Sequence, residues 1–418
     1  MKQALLPFAD ALAALLAQAA PVEGIDTVDT AAASGRVLAT DIRSTLDVPR
    51  SDNTQMDGYA VRRADLVDAT PQHPVRLPIV QRIPAGRVGR PLAPGEAARI
   101  FTGALVPEGA DAIVMQELAA VDGDAVAFSH CPAPGEWIRR AGEDIRSGSV
   151  ILGAGARLSP QATGLAASVG LASLPLRRRV RVACFFTGDE LAMPGEPLRP
   201  GAIYNSNRYV LGALLGALGC ELVDLGNVPD SLQATRAALR RAAHGNDLIL
   251  TSGGVSVGDE DHVKPAVEAE GELRLWQIAI KPGKPLAYGR VRRAGDDAQR
   301  APGAGAAHFI GLPGNPVSSF VTFVLLVRPF VQRLQGMIDV APRALALRAD
   351  FDWPRPDRRR EFLRARINAQ GGLELFPNQS SGVLTSTVWG DGLVDNPPQQ
   401  AIAAGDLVRF LPFSGLVD

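Results

Sequence analysis

The apolar positions near the start of the chain follow a helical period. They recur at Leu5, Phe8, Leu12, Leu15 and Leu16. This spacing predicts an amphipathic helix of the mature protein. A secretory signal peptide is the alternative, because Lys2 precedes an Ala/Leu-rich stretch that ends in Ala17-Gln18-Ala19. Pro7 and Asp10 interrupt that stretch and favour the helix.

From residue 47 to residue 144 the apolar runs become short, and Pro, Gly and Asp-Gly pairs separate them. This pattern of short apolar runs separated by turn-forming residues is typical of a small β-rich domain. We predict its strands at Val75–Val80, Ala97–Phe101, Ala112–Met115 and Ala125–Phe128. The next segment predicts a strand at Ser149–Leu152 and a helix after Ser159-Pro160.

Between residues 179 and 336, buried-strand runs alternate with helical stretches. Such alternation indicates βαβ units around a parallel sheet. The predicted strands are Val180–Phe186, Glu221–Leu225, Asp247–Thr251, Leu273–Ile280, Leu286–Val291 and His308–Leu312. The predicted helices are Asn205–Leu218, Asp230–Ala243 and Pro316–Gln335. We expect a loop at residues 292–306.

After residue 336 the strand pattern returns and predicts a small C-terminal β domain or barrel. Its predicted strands are Leu345–Leu347, Arg360–Ile367, Leu373–Phe376 and Leu407–Phe410. A chain of 418 residues has room for about three domains.

Charge and composition exclude several classes of protein. The formal net charge of -1 argues against nucleic acid as the main partner, because general polyanion binders are strongly basic. Three cysteines without a CxxC pair disfavour a disulfide framework and a Cys-rich zinc site. The five histidines are scattered and form no HExxH motif. No apolar run approaches the roughly 20 residues of a membrane helix.

The candidate chemistry lies in loops that follow the predicted parallel strands, where open α/β sheets bind ligands. These loops are Thr187–Glu190, Gly226–Asp230, Thr251–Asp261, Lys281–Pro285 and Gly311–Pro316. Glycines let backbone N–H groups approach an anion, and lysines supply point charges for phosphate. Clustered carboxylates suit Mg²⁺. Together these residues predict a magnesium-dependent site for a phosphate-containing ligand.

The individual motifs differ in specificity. Thr251–Asp261 is long, and its three glycines and two aspartates favour a function over a structural turn. Lys281–Pro285 and Gly311–Pro316 are equally compatible with ordinary rigid turns. Taken singly, three further motifs are also compatible with ordinary turns: Met56–Ala60, Phe101–Ala104 and Gly142–Ile145. The chain contains no GxxxxGK[ST] motif, so a P-loop NTPase is excluded.

Taken in order, seven motifs resemble one family over nearly the whole chain. They are Met56–Ala60, Ile100–Ala104, Gly142–Ile145, Thr187–Leu191, Thr251–Asp261, Lys281–Pro285 and Gly311–Pro316. The family is that of molybdopterin molybdenumtransferase, which includes the E domain of gephyrin. The resemblance implies Mg²⁺-dependent insertion of molybdenum from molybdate into adenylyl-molybdopterin, with release of AMP. It also implies a cytoplasmic homodimer whose first helix belongs to the mature fold.

The same resemblance implies four domains. They are a discontinuous linker domain at 1–46 and 145–178, an inserted β-rich domain at 47–144, a molybdopterin-binding α/β domain with a parallel-rich sheet at 179–336, and a C-terminal β-barrel at 337–418. In this arrangement, the active cleft lies between the α/β domain of one subunit and the inserted domain of the other.

The resemblance also assigns site residues. Catalytic roles fall on Asp57, Asp144, Glu190, Asp230 and Asp261. Metal ligation falls on Glu190, Asp230 and Asp261. Substrate binding falls on Thr102, Thr187, Gly188, Ser252, Gly253, Gly254, Ser256, Lys281, Lys284, Pro313, Asn315, Ser380 and Ser381. Lys281 and Lys284 would hold phosphate or molybdate oxygens, and Gly253, Gly254 and Ser256 would cradle phosphate through the backbone.

Two features depart from the family pattern: the longer loop at 292–306, and Gln55 where a small residue is common. Molybdopterin adenylyltransferase is the nearest alternative activity, but it needs little beyond residues 179–336. A non-catalytic scaffold of the same fold is the other alternative. The adenylyltransferase and acceptor molybdoenzymes are the expected partners. The choice between molybdate and tungstate stays open.

Overall fold

The computed structural model describes residues 5–254, 262–293 and 305–417. Its contacts divide the chain into two compact units. Unit 1 consists of Met1–Thr40, Gly155–Ser159 and Ser173–Asp418, and unit 2 consists of Asp41–Ala154 and Pro160–Ala172. The division into four domains stays a prediction. Most of the predicted loop at 292–306 lies outside the described residues.

Helices occupy both units, and the first confirms the helical reading of the N-terminal apolar pattern. They are α1 (Phe8–Leu16), α2 (Pro160–Ser168), α3 (Ser206–Ala217), α4 (Leu232–Ala243), α5 (Val263–Glu270), α6 (Pro316–Thr322), α7 (Arg328–Leu334) and α8 (Thr385–Trp389). Helix α3 begins where Asn205 accepts a hydrogen bond from the Arg208 N–H, and α4 begins where Ser231 accepts one from the Ala234 N–H.

Short strands make up most of the remaining regular structure. The first twelve are β1 (Ile25–Asp29), β2 (Ile42–Arg43), β3 (Asn53–Thr54), β4 (Gly58–Val61), β5 (Val75–Ile83), β6 (Ala97–Ile100), β7 (Ala112–Met115), β8 (Ala119–Asp122), β9 (Ala125–Phe128), β10 (Ile138–Arg139), β11 (Val150–Leu152) and β12 (Ser173–Arg177). The others are β13 (Arg181–Thr187), β14 (Leu191–Ala192), β15 (Ile203–Tyr204), β16 (Glu221–Val228), β17 (Leu248–Ser252), β18 (Gly271–Gln277), β19 (Ile280–Lys281), β20 (Pro285–Arg292), β21 (Ala306–Leu312), β22 (Leu345–Arg348), β23 (Arg360–Ile367), β24 (Leu373–Leu375), β25 (Gly392–Asn396) and β26 (Leu407–Pro412).

The main sheet of unit 1 has the order β16-β13-β17-β21-β20-β18. Its first four strands are parallel, and β20 and β18 join antiparallel. The predicted parallel-rich α/β sheet is therefore confirmed. The parallel register places Thr187, Ser252 and Leu312 at the same carboxyl edge.

Both faces of this sheet are covered, which is why its strands read as nearly continuous apolar runs. Cys184 and Phe186 of β13 face a cluster that includes Leu211 of α3 and Val327 of the closing helical segment. Phe185, on the opposite face, packs in a second cluster with α4 and α5. Period-two alternation along one strand thus supplies two separate cores.

The closing helical segment, Pro316–Leu334, is 19 residues long and apolar enough to pass a length-and-composition test for a membrane span. Burial inside the protein accounts for that composition, since 94% of its most apolar window is buried. Within it, Phe323–Val327 forms a π-helical segment between α6 and α7. The sequence pattern had indicated one uninterrupted helix.

A second sheet in unit 1 follows the path β19-β23-β25-β26-β22, with β24 paired to β23. The predicted strand at 273–280 is two strands here: β18 belongs to the main sheet, and β19 pairs with β23 in the second. This second sheet confirms the strand-rich C-terminal region, whereas its closure into a barrel stays a prediction.

Unit 2 contains a sheet of order β7-β4-β6-β5-β9-β8, which confirms the β-rich region. Gly58 lies where β4 passes β7. A Cβ atom at this position would be 2.1 Å from the Val114 carbonyl oxygen. The Asp57-Gly58 pair is therefore tied to strand packing, because no side chain fits between these strands.

His308 on β21 is held in an apolar setting. Its Nδ1 lies 2.9 Å from Tyr288 Oη, and its ring meets Phe330 edge-on at 5.1 Å between centroids. Burial, reinforced by the charge of Arg290, lowers the pKa of His308 to about 4.

This pKa predicts a loss of stability in acid. The unfolded chain holds the proton with a pKa near the ordinary value of 6.5, so it binds the proton more tightly than the folded chain does. The contribution of His308 is complete above that value and is lost as the pH falls towards 4, by at most about 3 kcal/mol. Urea unfolding at several pH values measures it. His308→Gln should remove this component, while exposed His73→Gln should keep it.

Candidate functional site

The loops at the carboxyl edge of the main sheet surround a cavity of about 510 Å³ in unit 1. Nine of the predicted substrate or catalytic residues line it. They are Thr187, Gly188, Glu190, Asp230, Ser252, Gly253, Gly254, Pro313 and Asn315. The parallel strand order accounts for this convergence, since all four loops leave the sheet in one direction.

Glycine is required where the β17 loop meets the end of β13. Gly253 has φ +99° and Gly254 φ +62°, in the left-handed region. A Cβ on Gly253 would lie 2.7 Å from the Thr187 carbonyl oxygen. The Gly253 N–H donates to the Leu312 carbonyl at 3.1 Å, so it is already engaged. A backbone contact to phosphate would therefore come from Gly254 among the described residues of this turn.

Asn207, at the start of α3, joins two of the loops. Its Nδ2 donates to Ser252 Oγ at 2.8 Å and to the Gly314 carbonyl at 2.8 Å. The Ser252 hydroxyl in turn donates to the Pro313 carbonyl at 2.9 Å. One amide group thus connects the ends of β17 and β21. We call Asn207, Ser252, Pro313 and Gly314 the amide clamp.

The two acidic loops are also tied to their surroundings through the backbone. The Ile203 N–H donates to the Glu190 carbonyl at 2.8 Å. The Asp230 N–H donates to Asp189 Oδ1 at 3.3 Å. These bonds fix the main chain at Glu190 and Asp230, and both side chains border the cavity.

The described lining contains two carboxylates and no lysine or arginine. Carboxylate, amide and hydroxyl oxygens are the donors that a hard divalent cation prefers. The residues present therefore fit a cation bound together with ligand oxygens. Within the described parts of the chain, no cluster of three His, Cys, Asp or Glu side chains forms a complete metal site. Asp261, the third predicted metal ligand, and Ser256 lie outside the described residues.

Lys281 and Lys284 do not line the cavity. Lys281 Nζ lies 3.1 Å from Glu361 Oε1 and 3.5 Å from Asp357 Oδ2, so β23 and the segment before it hold the ammonium group by ion pairs. Lys284 is exposed. Pro285, which follows it, does border the cavity, and so the turn reaches the site through that end.

Ser380 and Ser381 lie in a loop that touches the start of α6. The Val317 N–H donates to the Ser381 carbonyl at 3.0 Å. Arg364 Nη2 donates to the Ser380 carbonyl at 3.2 Å. Because Pro316 and Ser318 border the cavity, this loop is next to the lining without being part of it.

Two predicted motifs of unit 2 meet each other. Asp57 Oδ1 accepts hydrogen bonds from the Thr102 N–H at 2.8 Å and the Thr102 hydroxyl at 2.7 Å. These two bonds, and more weakly the charge of Arg99, hold the pKa of Asp57 below its usual value. Asp57 is therefore an oriented, ionised carboxylate at neutral pH.

Asp144 lies in another segment of unit 2. The Asp144 N–H donates to the Val48 carbonyl at 3.0 Å, and Asp144 is exposed. The bond belongs to a turn in which Ile145 also pairs with Val48. This geometry anchors the backbone and leaves the Asp144 side chain at the surface.

Sequence reasoning missed Asn205 and Asn207 as site residues. Both border the cavity, and Asn205 donates to Asn227 Oδ1 at 2.7 Å. In the sequence, Asn205-Ser206-Asn207 is typical of the polar start of the predicted helix Asn205–Leu218. The one available signal was the position of this polar start next to the strand-end loops.

Three family models match the chain. "MoeA N-terminal region (domain I and II)" matches residues 6–170, "Probable molybdopterin binding domain" matches residues 183–333, and "MoeA C-terminal region (domain IV)" matches residues 346–413. The cavity and most of the predicted site residues of unit 1 fall within the second match.

Similar proteins span nearly the whole chain. Molybdopterin molybdenumtransferase of Haemophilus influenzae is 39% identical over 396 residues, covering 92% of this chain and 93% of that protein. Molybdopterin molybdenumtransferase 2 of Mycobacterium tuberculosis is 40% identical over 392 residues, covering 91% and 93%. The crystal structure of the molybdopterin biosynthesis moeA protein from Pyrococcus horikoshii aligns with a TM-score of 0.84 at 27% identity, covering 98% of this chain and 100% of that one.

The amide clamp predicts a local effect of Asn207→Ala. Each of the loops after β17 and β21 loses one donated bond of about 1 kcal/mol, so amide hydrogen exchange in each should become about fivefold faster. Exchange followed by mass spectrometry resolves these peptides. Asn246→Ala, which removes buried bonds to Ala242 and His244 at the end of α4, is the matched control. Unchanged exchange in both loops would show that the amide clamp does not hold them.

Proposed function

The chain belongs to the molybdopterin molybdenumtransferase family, and on that premise we propose that it inserts molybdenum from molybdate into adenylyl-molybdopterin, releasing AMP. Curated relatives across nearly its full length make it a transferase of molybdenum cofactor biosynthesis. The identity of the adenylylated substrate and the dependence on Mg²⁺ are the parts we propose.

The observation that supports this function most directly is the carboxylate-lined cavity. It lies at the carboxyl ends of parallel strands, within the region matched by the molybdopterin-binding model. Its volume of about 510 Å³ is within the range of ordinary small-molecule sites, roughly 300–1,000 Å³. Family matches on both sides of that region speak against the adenylyltransferase alternative, which would need little more than the α/β part.

Glu190 and Asp230 would hold Mg²⁺ together with phosphate oxygens of the substrate, with Asp261 as the third predicted ligand. When bound, Mg²⁺ would neutralise phosphate charge and polarise the phosphoanhydride bond. Among the described residues, the lining supplies oxygen donors and contains no lysine or arginine, which is the chemistry that such an ion requires.

The chain's own residues would orient the substrate. Gly254 would allow a substrate phosphate to approach the backbone closely. The amide clamp would hold the loops that border the phosphate in a fixed position. Lys281 and Lys284 would attract oxyanions at the neighbouring turn. The dithiolene sulfurs that receive molybdenum belong to the substrate, so the protein needs no cysteine ligand for that metal. Asp57 and Asp144 would act from unit 2.

We further propose a homodimer that works in the cytoplasm and exchanges ligands with molybdopterin adenylyltransferase and acceptor molybdoenzymes. The resemblance of the motifs is the support for this arrangement. In it, unit 2 of one subunit completes the cavity of the other, and two-fold symmetry gives two equivalent composite sites.

The cavity carboxylates give the first test of function. With adenylyl-molybdopterin, Mg²⁺ and molybdate, the wild-type chain should release AMP. Glu190→Gln and Asp230→Asn should each reduce that release by roughly 100-fold, since loss of one preorganised charge contact has about this effect. AMP is quantified by chromatography over time.

Glu268→Gln is the matched control, because Glu268 is an exposed acid on α5 outside the cavity lining. It should keep wild-type turnover. Near-normal AMP release in both cavity variants would contradict the assignment. Adenylylation of molybdopterin from ATP, without added adenylyl-molybdopterin, would favour the adenylyltransferase instead.

The composite site predicts complementation between inactive chains. Co-expressed Asp57→Ala and Glu190→Ala chains form heterodimers in which both lesions fall in one site and the other site is intact. Random assortment makes about half of the dimers heterodimers with one working site, so about a quarter of wild-type activity should return.

Native mass spectrometry establishes that the heterodimers form. If Asp57 acts within its own chain, each site of the heterodimer keeps one lesion and activity stays absent. Heterodimers without recovered activity would therefore overturn the shared site while leaving the reaction itself unaffected.

A further inference from the structure

In unit 2, two arginines are ordered around one aromatic ring. Arg82 Cζ of β5 lies 4.4 Å from the Phe101 ring centroid, and Arg99 Cζ of β6 lies 4.7 Å from the same centroid. Arg99 also lies over Tyr59 at 5.1 Å. Cation–π contacts hold both guanidiniums near this ring. We call Arg82 and Arg99 the Phe101 arginine pair.

Arg99 is held by neutral groups. Arg99 Nη1 donates to the Gly58 carbonyl at 3.1 Å, and its Nη2 donates to the Gln116 side-chain oxygen. Arg82 is exposed. Within the described residues, no carboxylate lies within ion-pair distance of either guanidinium. By contrast, Arg76 and Arg140 of the same unit pair with Asp122 and Asp52.

Two positive charges gathered at one ring repel each other. The Asp57 carboxylate, on which the charge of Arg99 acts weakly, offsets this repulsion only in part, so a further anion beside the pair would stabilise it. Guanidiniums are donors in a rigid fork that matches the oxygens of tetrahedral oxyanions. Two rings and two neutral acceptors order Arg99, and the Phe101 ring orders Arg82, without consuming all the N–H groups of either guanidinium. Such a pair is preorganised for an oxyanion ligand.

The neighbouring residue adds a reason to place a ligand there. Thr102 follows Phe101, and both of its donors go to Asp57. The Gln116 N–H donates to the Asp57 carbonyl at 3.1 Å. Strand β6, which carries Arg99, therefore leads directly into the residue that orients the carboxylate we place in the reaction.

We propose that the Phe101 arginine pair binds a tetrahedral oxyanion group of a substrate. Two sources share this chemistry: the phosphate of the adenylyl group and free molybdate. The identity of the source rests on the proposed function, whereas anion binding by the pair does not. The inference gives unit 2 a binding role in addition to that of Asp57.

Arg82→Gln tests the proposal, because the Arg82 guanidinium makes no hydrogen bond to any described residue and its loss should leave the fold intact. Equilibrium dialysis of the full chain with AMP and, separately, with molybdate measures affinity at low and high salt. We expect about tenfold weaker binding of one ligand at low salt, and a smaller difference at high salt because screening already weakens the wild-type contact.

Arg76→Gln is the matched control, on the same strand and equally charged but paired with Asp122. It should bind both ligands like wild type. Arg82→Lys keeps the charge but not the fork and should recover part of the affinity. A loss for AMP alone assigns the pair to phosphate, and a loss for molybdate alone assigns it to molybdate.

Unchanged binding of both ligands in Arg82→Gln, or an equal loss in Arg76→Gln, would overturn the proposal. Neither result would contradict the proposed reaction, because AMP release from the wild-type chain tests that reaction separately. If the wild-type chain releases no AMP while Arg82→Gln still loses anion affinity, the proposed function fails and the binding site stands.

Discussion

Parallel pairing of β16, β13, β17 and β21 is the constraint on which the candidate site depends. Parallel strands end at one edge, so the loops after Thr187, Val228, Ser252 and Leu312 leave the sheet together. Burial of both faces fixes that register, because a shift of one residue would exchange the side chains of Phe185 and Phe186 between two filled cores. The position of the cavity is thus a consequence of how the sheet is packed.

Within that edge, the loops are held mainly by amide and backbone groups. Asn207 joins the ends of β17 and β21, and the Gly253 turn passes too close to Thr187 for any side chain. Glu190 and Asp230 border the same cavity, whose described lining contains no lysine or arginine. In unit 2, by contrast, two charged side chains, Arg82 and Arg99, are ordered around the Phe101 ring.

Several outcomes differ from simple pattern reading for identifiable reasons. Strand β25 was not predicted, since Gly392, Asp395 and Asn396 are turn-forming residues. Asp395 is buried there because it pairs with Arg360 and Arg409 from the neighbouring strands β23 and β26. Lys281 is predicted to hold an oxyanion, and this stays a prediction; its ammonium group lies beside Glu361, which is fully buried, at the start of the second sheet. Contacts distant in sequence decide both cases.

The sequence by itself determined the elements whose cause is local. Periodicity and residue type predict the amphipathic first helix, the strand at Val180–Phe186 that is buried on both faces, and the glycine turn at Gly253. It also determined which loops carry acids, because parallel connectivity follows from alternating strands and helices. The tertiary structure alone decided which groups meet: Asn207 with Gly314, Asp57 with Thr102, and Arg82 with Arg99. Those meetings depend on side-chain packing between segments far apart in the chain, and local propensity contains no information about such distances.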